Sequence, residues 1–516
     1  MAKNNKMSDT LANNKRIAKN TIMLYIRMLF LMAVNLYTSR VVLQTLGVED
    51  YGIYNAVAGF IAMFSMVSAS ISGAISRFIT FVLGQGDQQK LNKVFSTALI
   101  IQIAIALLVV FLVEAIGVWF LNTHMTIPIE RNIAANWVLQ FALLTFIFNL
   151  WSTPYNASLI AHEKMNAFAY IGIFEGCANL AIAFLIMTSP FDTLIFYALL
   201  MCLVAFITRI IYTVYCKKHF SECTFHWVYD KVLFKEMFGF AGWNFVGSIS
   251  GLLREQGINI LFNIYFGPTI NAARGLASQV NTAIGKFSQN FFTAVQPQIT
   301  KTYACNNINE AHSLVLRSSR FAFILMMAFV IPIIFETELL LKIWLKEVPT
   351  HTTAFVQIIM LFSLLESFSY PLIHLMLATG KIKKYQLVVG SVNILNFPVA
   401  WLILLFGGSP ELSQLSIVIF SIVALVLRVI MLKPITKFPV KQFLISTVLR
   451  CLCLLIICIM PALLFVSLME ENILRFCCNI ITTEITIILV AFIGGLTPEE
   501  RKFVIGKIKI KYLRKQ

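Results

Sequence analysis

Four cationic side chains fall in long apolar stretches where a bilayer would tolerate them poorly: Arg40, Arg254, Arg274 and Lys286. An ionised side chain near mid-membrane costs about 2.5–3.5 kcal/mol on insertion scales, so it faces a cavity or a partner. Around residues 236–265, Asn244, Ser248, Gly251, Glu255 and Asn259 recur at spacings that put them on one helix face, with Arg254 beside them. Around 270–299, Asn271, Arg274, Ser278, Asn281, Gly285, Gln289 and Gln296 form a second stripe, with Lys286 adjacent. Such a cavity is net positive, and Glu255 is its main offset. The planar donor fork of arginine favours phosphate. A cationic, hydroxyl- and amide-rich cleft suits a substrate bearing phosphate and sugar better than a lipophilic cation.

The elements that must carry these stripes follow from composition. The chain has 516 residues, 59% hydrophobic and 13% charged. Soluble chains are about 45–50% apolar and about 25% charged. Soluble enzymes, nucleic-acid binders, disordered chains and secreted disulfide scaffolds are excluded, although Lys+Arg (41) exceed Asp+Glu (24). The pattern predicts an all-α polytopic membrane protein. On a template of about 20 apolar residues per crossing, spans fall near 21–45, 52–83, 94–120, 134–160, 166–188, 194–215 and 236–265. A second set falls near 270–299, 318–344, 353–379, 385–406, 412–432, 442–468 and 474–496. The total is about 14 transmembrane helices.

Charge alternates between successive loops. The N-terminal segment (Lys3, Lys6, Lys15, Arg16, Lys19), Lys90/Lys93, Lys164, Lys217–Lys235, Lys301–Arg320, Lys381–Lys384, Lys433–Lys441 and Arg501–Lys515 form the basic side. The other side holds Glu49, Asp50, Asp192, Glu411, Glu470 and Glu471, with only Arg131, Lys346 and Arg475 as cations. The positive-inside rule then places both termini in the cytoplasm. The excess positive charge is topogenic.

The two halves are similar to each other. A shift of 220 superposes Leu46-Gly47 on Phe266-Gly267 and Ile79-Thr80 on Ile299-Thr300. A shift of 217 aligns Gln140, Ser152, Pro154, Ala161, Lys164 and Asn179 with Gln357, Ser369, Pro371, Ala378, Lys381 and Asn396. Both copies enter from the same side, so the repeats are parallel, about an axis along the membrane normal. The expected layout is a basic cytoplasmic tail (1–20), an N-terminal six-helix bundle (21–216), a cytoplasmic linker loop (217–235), a C-terminal six-helix bundle (236–432), an appended helix pair (442–496) and a basic cytoplasmic tail (497–516). Two facing bundles form a midplane cleft that can open to either side, the plan of an alternating-access transporter.

Simpler readings stand beside the functional ones. Arg27, Arg77, Arg209, Arg428 and Arg450 lie close enough to cytoplasmic ends to snorkel. Pro154, Pro371 and the Gly/Ser-rich second helix read as packing and kink features. The ten cysteines make no disulfide pattern, and Cys216–His219–Cys223–His226 has a metal-like alternation of ligand types that, as a lone four-residue set in a loop, is weak evidence of a zinc site. No nucleotide-binding P-loop occurs in the sequence. Energy must then come from ion gradients, membrane potential or substrate supply, and no cofactor or metal is expected.

The segment LYIRMLFLMAVNLYTSRVVLQTLGVEDYGIYNAVAG carries an L-G-x-x-[DE]-Y-G-x-Y turn (Leu46, Gly47, Asp50, Tyr51, Gly52, Tyr54), and R-x-[IF]-T follows at Arg77–Thr80. With the Asn/Gln-rich seventh and eighth helices, the chain resembles the Wzx-type polysaccharide and O-antigen flippases of the MOP exporter superfamily, which includes MurJ and the MATE transporters. The resemblance implies no enzyme activity. It implies movement of an undecaprenyl-pyrophosphate-linked oligosaccharide from the cytoplasmic to the periplasmic leaflet of a bacterial inner membrane. It also implies an Arg-rich central cavity, for which Arg40, Arg254, Arg274 and Lys286 are the candidates by position, with Arg27 and Arg77 behind them. Asn244, Glu255, Asn259 and Asn271 complete the expected site. Lipid-linked substrate and bilayer are the implied partners, with a polymerase or glycosyltransferases as candidates. The rival class is a MATE-like drug or cation antiporter, which would use a buried carboxylate such as Glu255, Glu175 or Glu366.

Overall fold

A computed structural model describes residues 2–62, 64–123, 127–189, 192–226, 230–266, 268–345, 348–497 and 500–501. The side chains of Ser39, Asn55 and Asn271 and the segment 502–516 lie outside the described residues. Every regular element among the described residues is helical. In chain order these are α1 (Ala2–Ala62), α2 (Ser65–Gln85), α3 (Gln88–Leu112), α4 (Val118–Thr123), α5 (Asn132–Ala161), α6 (Met165–Leu185) and α7 (Thr193–His219). They continue as α8 (Lys231–Phe266), α9 (Pro268–Ala304), α10 (Ile308–Phe335), α11 (Thr337–Leu345), α12 (Thr352–Thr379), α13 (Lys383–Leu405), α14 (Pro410–Thr436), α15 (Val440–Gln442), α16 (Arg450–Leu468) and α17 (Ile473–Val490).

Among the described residues eleven helices are long and apolar enough to cross a membrane, so this is a multi-pass membrane protein. α2, α8 and α9 are not among the eleven, although each is at least 21 residues long. At 1.5 Å per residue, the 36 residues of α8 extend about 54 Å, against a hydrocarbon core of about 30 Å. The predicted second span, 52–83, is divided: its first part is the end of α1 beyond a sharp bend at Gly47 (φ 77°), and its remainder is α2. Gly47 belongs to the turn motif, and its left-handed φ is one that glycine adopts without a Cβ clash. The predicted ninth span, 318–344, begins earlier, at Ile308, and breaks at Glu336. Pro332 cannot donate within the last turn of α10, and the Glu336 side chain turns inward to accept from Arg475 Nη2 (2.9 Å) and Asn479 Nδ2 (2.8 Å) on α17.

The chain divides into two compact units, Met1–Ser248 with Thr293–Asn306, and Ile249–Phe292 with Asn307–Gln516. Both α8 and α9 contribute residues to each. In the first unit α5 packs on α1, α2 and α7, and α1 packs on α6. In the second, α12 packs on α10 and α14, α13 on α14, and the terminal helices α16 and α17 on each other and on α10.

The repeat is visible in the backbone. Left-handed residues follow α2 at Gly86 (φ 75°) and α9 at Asn306 (φ 58°), a separation of 220, and the next residues, Asp87 and Asn307, are the N-caps of α3 and α10. Left-handed residues also follow α5 at Glu163 (φ 58°) and α12 at Gly380 (φ 75°), a separation of 217. These are the same two shifts that align the sequence, so each half ends its helices by the same device.

Candidate functional site

In the second unit, Arg254 of α8 donates from Nη1 to Asn393 Oδ1 on α13 (3.2 Å) and places its guanidinium carbon 4.9 Å from the centre of the Phe362 ring on α12. Its Nε is buried and has no hydrogen-bond partner among the described residues. A neutral amide and an aromatic face orient the cation without cancelling its charge. Glu366, on the same helix as Phe362, interacts with Arg254 electrostatically, but its hydrogen bonds go elsewhere. Its Oε1 accepts from Ser421 Oγ (2.7 Å) and lies 3.5 Å from Arg428 Nη1. Arg428 also donates to Ser369 Oγ (2.7 Å) and Tyr385 Oη (3.4 Å). Glu366 and Arg428 are a matched buried pair, so Arg428 does not snorkel. Arg254 is the cation in surplus beside that pair.

Arg274 of α9 is only 1% exposed. Its Nε donates to Gln414 Oε1 on α14 (2.9 Å) and its Nη1 to Asn259 Oδ1 on α8. Both acceptors are neutral, and Glu255 interacts with it electrostatically. Asn259 is itself held, donating to Gln256 Oε1 (2.9 Å). Three predicted site residues, Asn259, Arg274 and Glu255, are therefore neighbours, with Arg274 tying α8, α9 and α14. Glu255 and Lys286 are exposed.

In the first unit the predicted residues are dispersed. Asn244 of α8 donates to the Ser70 carbonyl of α2 (3.0 Å), and Ser70 Oγ donates to Ser248 Oγ (3.3 Å). At Gly73 a Cβ would lie only 3.0 Å from Asn244 Nδ2, so this part of the stripe is a close helix–helix contact sealed by polar groups. The Arg77 guanidinium packs among Phe78, Phe81 and Phe240 at 4.7, 4.6 and 5.4 Å. Arg27 lies over Phe168 (4.3 Å) in the space left by Gly172, where a Cβ would be 2.1 Å from its Nε. Glu175 interacts with it electrostatically. Arg40 is exposed on α1.

Other polar clusters escaped sequence reasoning. Arg131 donates to Asp50 Oδ1 (2.7 Å) and to Asp192 Oδ2 (2.5 Å), and Asp192 caps α7. Tyr54 meets Tyr197 edge-on at 4.7 Å. The acidic and aromatic positions of the turn motif therefore staple one end of the first unit. The available signal was the rarity of cations on that side, where Arg131 faces an excess of acids. At the opposite end, the His162–Glu163 turn gathers several charged partners, and no sequence spacing announced it. Among the described residues no group of three or more potential metal ligands occurs. The His219 and His226 rings are bonded to the Tyr215 and Thr224 carbonyls (2.9 and 3.2 Å).

Among the described residues this is an all-helical membrane protein with cation-bearing polar helices in each unit, and its fold is that of the MATE transporters. An outward-facing multidrug resistance MATE family transporter of the MOP superfamily matches with TM-score 0.71 at 14% identity, covering 84% of this chain and 96% of that one. A MOP superfamily transporter from Pyrococcus furiosus, whose binding pocket is described as reversed in polarity, matches with 0.70 at 15%, covering 84% and 96%. A MATE in complex with MaL6 matches with 0.69 at 13%, covering 83% and 97%. No curated protein matches the chain. The family model for polysaccharide biosynthesis proteins matches residues 17–303, and the chain belongs to that family, the Wzx-like flippases.

Proposed function

We propose that this protein is a flippase that moves an undecaprenyl-pyrophosphate-linked oligosaccharide from the cytoplasmic to the periplasmic leaflet of a bacterial inner membrane by alternating access. The observation that carries the proposal is Arg254, a cation held by Asn393 and Phe362 with its Nε unpartnered, in a member of a polysaccharide biosynthesis family. A guanidinium fixed by neutral groups keeps its attraction for an incoming pyrophosphate. In this reading Arg274 and Asn259, in the same unit as Arg254, tie α8 to α9 and α14 beside it. The polyprenyl chain stays in lipid, and no covalent bond is made or broken. Both termini are cytoplasmic in this reading, and the two six-helix bundles and terminal pair keep the boundaries predicted from sequence.

The test is gene deletion with complementation. Wild type should restore surface glycan, whereas Arg254→Ala, expressed at the same level, should leave the lipid-linked repeat in the cytoplasmic leaflet. Arg254→Lys should restore export only in part, because a point charge replaces a planar fork. Full export with Arg254→Ala would refute the site. The MATE fold favours one rival, a drug or cation antiporter. Unchanged glycan in the deletion strain, with altered sensitivity to cationic drugs, would select it.

A further inference from the structure

The turn between α5 and α6 is occupied by His162 and Glu163, and each side chain holds elements remote in sequence. Glu163 is buried, its side chain 2% exposed, and it accepts from Arg16 Nε of α1 (2.6 Å), Lys301 Nζ of α9 (2.9 Å) and Gln298 Nε2 of α9. His162 stacks on Phe220 (4.1 Å between ring centres, 8° between planes), and its Nε2 lies 2.5 Å from Glu222 Oε1 in the loop that leads to α8. Gln88, at the start of α3, donates to Ser221 Oγ (2.9 Å) in the same loop.

The backbone at this turn shows that the side chain matters. The chain closes α5 with Lys164 N–H donating to Leu159 O and Glu163 N–H to Ile160 O (both 3.0 Å), a helix ending that calls for a left-handed residue and is normally given glycine. The repeat mate is Gly380, and beside it Thr379 bonds only locally, donating to the Met376 carbonyl (2.6 Å) and accepting from Lys381 N–H (3.2 Å). One half of the molecule therefore uses the residue best suited to the turn. The other keeps a strained glutamate whose carboxylate joins α1 and α9.

We infer that Glu163 is a positioning residue for transport: it fixes the last turns of α9 within the first unit. Those turns, residues 293–304, belong to the first unit, whereas the part of α9 bearing Arg274 and Lys286 belongs to the second. A helix shared in this way needs a firm hold at its end if its cations are to keep their place. The inference rests on the proposed function for its transport readout only.

Glu163→Gly separates the two roles of the residue, because it relieves the left-handed strain while removing the carboxylate. The full-length variant, reconstituted in lipid nanodiscs, is examined by hydrogen–deuterium exchange, and export is measured in the deletion strain. The expected result is normal expression, exchange over residues 293–304 faster by at least about tenfold, little change over 268–292, and loss of glycan export. Lys301→Ala, which leaves the turn intact, should move both readouts in the same direction and serves if Glu163→Gly fails to accumulate. Full export by either variant, or lost export with unchanged exchange over 293–304, overturns the inference. If wild type itself restores no glycan, the flippase reading fails, and the exchange result still decides whether Glu163 holds α9.

Discussion

Arg254, Arg274 and Arg428 occupy the same unit and have the same chemistry, yet their surroundings give them different tasks. Arg428 has Glu366 and is part of a neutral buried pair. Arg274 has two neutral amide oxygens and almost no exposure, so three helices depend on its donor fork. Arg254 has one amide and one ring. Arg274→Ala should therefore act mainly on stability. It leaves the Gln414 and Asn259 oxygens without their donor and opens a void, at a cost of about 2–4 kcal/mol. Thermal unfolding in detergent and protein yield should both fall, and Arg274→Lys should recover little, because one ammonium cannot span acceptors on two helices. A variant that is stable but inactive would instead make Arg274 a substrate contact. The sequence marked Arg254 and Arg274 because a lone charge in an apolar run has few explanations. It could not separate them, since Asn393, Phe362 and Gln414 lie more than a hundred positions away and belong to other helices.

At the scale of elements, helices and their order were legible because apolar length is a local property. Their interruptions were not. The break at Glu336 depends on Arg475 and Asn479, and the second predicted span divides between Ala62 and Ser65, where α1 ends and α2 begins. The repeat supplies a comparison between paired turns. Gly380→Ala puts a Cβ on a left-handed residue and should cost about 1 kcal/mol in thermal stability, whereas Glu163→Ala leaves the left-handed strain as it was and should destabilise only by removing the carboxylate that holds the partly exposed Arg16 and Lys301. The loop after α7 carries a pH dependence. Burial alone would raise the Glu222 pKa, but hydrogen bonds from His162, its own backbone and Gln88, together with the charge of His162, hold it below the usual carboxylate range. A folded pKa below the unfolded value of about 4.3 means that the contribution to stability is present above that value. It is lost as pH falls through the depressed one. Unfolding followed between about pH 3 and 6 should show an acid limb that Glu222→Gln flattens. An unchanged limb would mean that the contact with His162 does not form in solution.

For the whole molecule, the number of crossings decides where the two ends of the chain lie. Among the described residues eleven helices satisfy apolar length alone, an odd number that by itself would leave the termini on opposite sides. The positive-inside rule instead predicts that the basic N-terminal segment and the Arg501–Lys515 segment share one side, which needs an even number. The difference is made by α2, α8 and α9, the helices with the polar stripes. If those three also cross, the total is about fourteen, and helices too polar to face lipid must turn their stripes toward protein or water. Reporter fusions test this directly. A green fluorescent protein fused after Gln516 should fluoresce, and alkaline phosphatase inserted after Gly408, in the turn before the acidic Glu411, should be active. A dark C-terminal fusion with active phosphatase at the same position would mean an odd number of crossings. In that case at least one of α2, α8 and α9 would not span the membrane, and the parallel repeat would lose its topological basis. The expected outcome keeps both repeats entering from the same side, and the polar stripes of α8 and α9 then face protein partners, as Arg274 does at Asn259 and Gln414, or water.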